Sequence, residues 1–238
     1  MNNYDKLLAR KRSWTPVQTT AGQLTEGSEG VIKRALALRQ LELPVGGFIE
    51  SACRGDIPET SRALLLSNIQ DEEKHDLALG YAAKALGVDP AAEAEATRLV
   101  KAWEEHPDHT VMKALVLERS LFFVILPMFR WLGDPGLRTV SSDISRDEQV
   151  HVATNTLVCQ ELGLKVSRSL DILRKATLQW MLEPLSPSNS NRWLSRTWWA
   201  QQSDSLMYSG KADGLIDSAN ARLPAFFEHS NTNLPMYV

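Results

Sequence analysis

Two cysteines in 238 residues, Cys53 and Cys159, are too few to staple a fold with disulfides. They suit a reducing, cytoplasmic setting. An excess of positive charge is also missing. Lys and Arg number 26 against 29 Asp and Glu, a formal net charge of -3, so no global basic field argues for nucleic acid. The one basic run, Arg10-Lys11-Arg12, is short and reads as a solvated end. No long apolar stretch occurs either: the richest, Leu121 to Met128, is far too short to span a bilayer and reads as buried helix. The start, with Asn2, Asn3, Asp5 and Lys6, lacks the apolar region of a signal peptide. Strand-like alternation and low-complexity tracts do not stand out. The 43% hydrophobic and 23% charged content is ordinary for a globular protein, and the length fits one large domain with a real core.

The periodicity predicts an all-α fold. Residues 1–27 are polar and read as an irregular arm, ordered on the body through Tyr4 and Trp14. Ser28 is placed to cap a first long helix, in which Pro44 and Gly46-Gly47 predict a kink just after Glu42. A second helix is expected from about Pro58 to Leu86, and a connector helix from Pro90 to about Glu105. A third is expected from Thr110 to Leu132 and a fourth from Leu137 to Leu162. A further helix over 167–182 and a tail from Trp193 follow. The divisions are thus an arm at 1–27, a four-helix bundle at 28–165 and a C-terminal helical extension at 166–238.

Chemistry enters at Asp71-Glu72-Glu73-Lys74-His75 and at Asp147-Glu148-Gln149-Val150-His151. Each holds Glu-x-x-His, which on a helix sets a carboxylate and an imidazole on one face. Glu42 lies 30 residues before Glu72, and Glu118 lies 30 before Glu148. One offset of 76 residues carries Glu42, Asp71, Glu72 and His75 onto Glu118, Asp147, Glu148 and His151. The chain therefore repeats one helical hairpin, and the two together hold the ligand set of a dinuclear site in a four-helix bundle.

Hairpin register supports the choice. Glu42 sits 14 residues before a turn near residue 56 and Glu72 sits 16 after it, a mismatch of about 3 Å. Glu50 would miss Glu72 by about 15 Å on the same rise. Glu118 lies within Leu115-Val116-Leu117 and Leu121-Phe122-Phe123, so its carboxylate is expected to be buried and to need a partner. Carboxylate and imidazole together suit two iron ions, manganese or a mixed pair. Asp71 and Asp147 are placed to accept a proton from the far ring nitrogen of His151 and His75 respectively. The shared carboxylates are either Glu42 with Glu148 or Glu72 with Glu118. Phe122, Phe123, Leu79 and Leu121 are candidates to line an apolar pocket, while His106, His109 and His229 read as loop or terminal residues.

At these residues the chain resembles the ferritin-like di-metal carboxylate superfamily, over roughly residues 28–165. Ser145-Arg146-Asp147-Glu148-Gln149-Val150-His151 is similar to the Arg-Asp-Glu-x-x-His element of class I ribonucleotide reductase small subunits and of cyanobacterial aldehyde-deformylating oxygenases. Val116-Leu117-Glu118 followed by Phe122 is similar to the third helix of the reductase subunits. The resemblance implies that Glu42, Glu72, His75, Glu118, Glu148 and His151 are metal ligands and that dioxygen is a co-substrate. The tyrosine that follows the first histidine by four residues in the tyrosyl-radical reductases is Leu79 here, with Tyr81 nearby as a possible redox residue. The leading expectation is a dinuclear oxidase or oxygenase acting on a small organic substrate. The alternative is the radical-generating small subunit of a class I-like ribonucleotide reductase, with a catalytic partner subunit. Trp193, Trp198, Trp199 and Tyr237 are then relay or docking candidates, against plain packing of the tail. A metal-storage bundle is the third reading. A homodimer is expected, with no nucleic-acid or membrane partner.

Overall fold

The computed structural model describes residues 2–208, and all of its regular structure there is helical. After a short helix in the arm, α1 (Asn3–Leu8), the first long helix begins as α2 (Glu29–Ala37). It tightens into a 3-10 turn at Leu38–Leu41 and continues as α3 (Glu42–Arg54). Helix α4 (Glu59–Leu86) returns antiparallel to it, and α5 (Pro90–Glu105) connects to the second hairpin. There α6 (Thr110–Leu117), a π-helical turn (Glu118–Phe122) and α7 (Phe123–Leu132) form one broken rod, answered by α8 (Pro135–Glu161). Helices α9 (Arg168–Leu182) and α10 (Arg196–Tyr208) follow. The bundle closes because α3 packs on α4, α4 on α8, α8 on both α6 and α7, and α6 on α3.

The ends obey simple chemistry. Asp89 caps α5 through the amides of Ala91 and Ala92, with Pro90 at the first helical position, where no amide is needed. Asp134 caps α8 in the same way, and its second oxygen accepts the Gly22 amide at 2.7 Å, which ties the arm to the turn. Gly87 and Gly163 leave their helices at φ 81° and 63°, a region that favours glycine. Ser28 stands at the start of α2 but caps nothing with its side chain; its hydroxyl donates to the Thr25 and Leu132 carbonyls instead.

Two helices differ from the expectation. The first bends before Glu42, not after it. Pro44 cannot donate an amide and crowds the carbonyl four residues earlier, so the irregularity falls on the preceding turn and Pro44 lies harmlessly in the first turn of α3. The third helix is not continuous. Pro127 cannot bond the Phe123 carbonyl, and the chain takes up an extra residue upstream, where the Phe123 amide reaches the Glu118 carbonyl five residues back. This rod is buried on every side from Val111 to Phe129, as a helix that is apolar around most of its surface must be. Its one lysine, Lys113, spends its ammonium on the carbonyls of Trp103, Glu104 and His106 at the end of α5.

The C-terminal helices hold the π turn. Ser203 of α10 donates to the Ser120 carbonyl at 2.7 Å, and Arg119 donates to the Leu206 carbonyl at 2.8 Å. Arg174, fully buried on α9, ties Ser203 at 2.6 Å to Asp204 at 2.7 Å and to Asp171. Trp131 stacks on Trp193 with centroids 4.3 Å apart, and Trp198 and Trp199 complete an edge-to-face cluster. Tyr237 and His229 lie outside the described residues. Replacing Arg174 by Met should cost about 2–3 kcal/mol, because buried partners lose their donor. Urea unfolding of the two proteins measures the difference.

Candidate metal centre

Helices α4 and α8 are the long, unbroken elements of the bundle, and each carries an Asp-Glu-x-x-His on its inner face. Glu42 is the first residue of α3 and Glu118 the first of the π turn. All eight side chains are buried, and His75, Glu118, Glu148 and His151 expose nothing. They form two adjoining groups, Glu42, Glu72, His75 and Glu148 in one and Glu72, Glu118 and His151 in the other. Within each group one ligand atom per residue lies within 4.8 Å of the rest. Both groups have the shape and chemistry to hold a metal ion.

His75 Nδ1 lies 3.3 Å from Glu148, 3.5 Å from Glu72 and 3.7 Å from Glu42. His151 Nδ1 lies 3.0 Å from Glu72, 3.7 Å from Glu148 and 3.9 Å from Glu118. Glu72 and Glu148 therefore face both imidazoles, whereas Glu42 and Glu118 stand at opposite ends. Neither pairing expected for the shared carboxylates matches this; the two glutamates of the Glu-x-x-His motifs occupy the middle. They do so because α4 and α8 are adjacent and both point inward at the same level. Glu50 is exposed and paired with Arg54.

Behind each histidine stands the aspartate of the other hairpin. Asp71 Oδ2 is 3.1 Å from His151 Nε2, and Asp147 Oδ2 is 3.3 Å from His75 Nε2. With Nε2–H directed at a carboxylate, Nδ1 is the atom that a neutral ring would offer to the cavity. The arm supports both aspartates. Lys11 pairs with Asp71 at 2.5 Å, joined by Lys74 at 2.5 Å, and the Trp14 indole N–H donates to Asp147 at 2.6 Å. Trp14 also stacks near-parallel to His75, with centroids 6.1 Å apart, and Lys74 lies over its ring. Lys11 and Lys74 are thus not merely solvated charges, as their surroundings in the sequence suggest.

Eight oxygen and nitrogen atoms of the six central residues are buried without a hydrogen-bond partner. The charge balance reflects that crowding. Burial drives the Glu42 and Glu118 carboxyls well above their usual range, with Glu148 adding to the rise at Glu118. Burial also pushes Glu148 up. Glu72 is pushed up by burial but is lowered more by His151 and His75, to about 2. For His75 and His151 burial opposes the charged form, yet the ring of carboxylates outweighs it and raises both well above an ordinary histidine. Asp71, also opposed by burial, is held well below the usual carboxylate range by His151, Lys11 and Lys74.

Asn155 is not singled out by the sequence, and Trp14 is singled out only as an anchor for the arm. Asn155 is buried and donates its amide to Glu118 at 2.6 Å. It lies four residues after His151, the place that Leu79 holds after His75, so the duplicated spacing was a usable signal. Trp14 reads in the sequence as an anchor of the arm, but nothing local to it points to Asp147 or His75 as its partners. Leu79, Leu121, Phe122 and Phe123 are all buried core residues. Tyr81 is half-buried and six residues beyond His75, which sets it about 120° round the helix from the cluster face.

Without metal, the folded centre binds more protons near neutrality than the unfolded chain. His75 and His151 are raised, so their stabilising contribution is full below about pH 6.5 and is lost as pH rises through their folded values. Glu42, Glu118 and Glu148 are raised too, and their cost grows above about pH 4.5. Both effects have one sign. The metal-free protein should lose stability between about pH 6.5 and 8, seen by urea unfolding at each pH. Glu118→Gln, which removes a carboxyl that burial and Glu148 keep from ionising freely, should raise the metal-free midpoint by about 2–4 °C at pH 8.

No helix among the described residues is long and apolar enough to cross a membrane. No protein-family model and no curated protein matches the chain. A solved structure does. It is a protein from Bacillus halodurans provisionally described as a class I ribonucleotide reductase, 18% identical, with a TM-score of 0.58 over 85% of this chain and 87% of that one. At that identity the likeness speaks for architecture alone, and it shows that the described residues share the ferritin-like, all-α fold of that structure.

Proposed function

We propose that this chain holds two first-row transition ions, iron or a manganese–iron pair, and serves as a class I-like ribonucleotide reductase small subunit that supplies an oxidant to a catalytic partner subunit. The observation that carries this reading is the set of eight partnerless, buried ligand atoms centred on Glu72 and Glu148. Four carboxylates so placed would be untenable without cations, and two divalent ions match their charge. A reduced ion pair, once bound, would supply the electrons for reaction with dioxygen.

The protein's own residues do the rest. Glu72 and Glu148 sit where they would be shared, with Glu42 and His75 completing one side and Glu118 and His151 the other. Asp147 and Asp71 fix the imidazole tautomers and orient the rings. Trp14, Asp147 and His75 form a hydrogen-bonded line from the half-buried arm to the centre, a path suited to electron and proton movement. Together with the shared fold, this line favours the reductase-like role over an oxygenase acting on a small organic substrate. Leu79 removes the usual tyrosine, and Tyr81 faces elsewhere, so a tyrosyl radical at that position is not part of the proposal. The buried thiols of Cys53 and Cys159 suit a cytoplasmic location, and a homodimer is the assembly to look for.

Ferrous titration of the metal-free chain, read by elemental analysis after gel filtration, tests the proposal. Two ions per chain are expected. Glu42→Ala should retain about one and Glu72→Ala none, with circular dichroism unchanged. Uptake of many ions per chain would point to storage, and uptake of none would reject the centre.

A further inference from the structure

The arm does more than cover the centre. Between it and α8 lies a cleft of about 590 Å3 whose floor is Asp147. Its rim carries Arg10, Arg12 and Arg146, all exposed. Lys11 beside them is neutralised by Asp71, and Arg146 has only a 3.4 Å contact with Asp143. Among the described residues, Arg10 and Arg12 have no carboxylate partner. In a chain of net charge -3, this is a local reversal of sign. Through Asp147 it reaches the middle of the Trp14–Asp147–His75 hydrogen bonds.

The form of the cleft narrows what it would take. Pockets for flat cofactors are enclosed and mostly apolar. This one is a half-open cleft with guanidinium groups from the arm and from α8 on its rim. Unpaired arginines at a rim steer and orient an anionic surface, and their planar forks match carboxylates two bonds at a time. Under the function proposed above, electrons must reach the centre from outside the chain.

We propose that this cleft docks an acidic one-electron donor protein, whose surface carboxylates pair with Arg10, Arg12 and Arg146. The donor is oxidised by one electron for each electron the centre gains, and no bond is made or broken in the transfer. The inference rests on the proposed dinuclear function, but its test does not need a loaded centre.

The probe is a plant-type ferredoxin, an acidic one-electron carrier, flowed over the immobilised full-length, metal-free chain in surface plasmon resonance. Saturable one-to-one binding is expected at about 20 mM salt, weakening about tenfold or more at about 200 mM. Arg10→Glu with Arg12→Glu should weaken it by about tenfold or more. Lys84→Glu with Lys101→Glu, exposed and on other helices, should leave it unchanged. Equal affinity of the arginine double variant and the parent would overturn the docking site, as would an equal loss in the lysine control. Binding of pyrophosphate without binding of ferredoxin would overturn it in favour of a small anion. Two ferrous ions taken up without ferredoxin binding rejects the docking site alone. Failure to take up ions rejects the reading beneath it, whatever ferredoxin does.

Discussion

Four carboxylates and two imidazoles meeting in a dry interior are the constraint on which the rest of this structure depends. Each charge placed there without a counter-charge costs several kcal/mol, and the two cations of the rod from Val111 to Phe129, Lys113 and Arg119, are bonded to carbonyls elsewhere. The fold tolerates the cluster by making its members partly cancel. The imidazoles hold Glu72 ionised, while Glu42 and Glu118 retreat toward the neutral form. That compromise leaves ligand atoms facing one another with nothing between them, which is a poor arrangement for stability and a good one for binding cations.

Regular and irregular helices divide the work. The paired motifs ride on α4 and α8, whose unbroken spacing fixes glutamate, aspartate and histidine on one face. The lone glutamates sit where the helices depart from regularity, Glu42 just after a 3-10 turn and Glu118 at the start of a π turn. Local departures of this kind change how far a side chain stands from the axis without moving the helix. They also release backbone groups, and Ser203 takes the carbonyl of Ser120. The C-terminal helices are thereby fastened to the segment that presents Glu118.

Much of this was legible in the sequence, for a physical reason. The helix period and the 76-residue offset are local or repeating properties, so the bundle, its turns and the clustered Glu42, Glu72, His75, Glu118, Glu148 and His151 could be read directly. Asp71 and Asp147 followed from their place before the Glu-x-x-His pairs. What was not legible depends on distant contacts. The kink moved to Leu38–Leu41 because proline acts on the turn before it. The π turn answers to Pro127, five residues past its end. The supporting roles of Lys11, Trp14 and Asn155 exist only once the arm has folded back and α8 has packed beside Glu118. The middle position of Glu72 and Glu148 likewise follows from α4 lying beside α8, a matter of topology that spacing alone left open.

Asn155 breaks a symmetry that the two hairpins otherwise share. Its counterpart under the repeat is Leu79, so one half of the cage has an amide at the back of its terminal carboxylate and the other has hydrocarbon. Trp14 adds to the difference by stacking on His75 alone. A pair of unlike cations entering this interior would find two distinct addresses, and a repeated spacing of ligands would still let the cage tell its occupants apart.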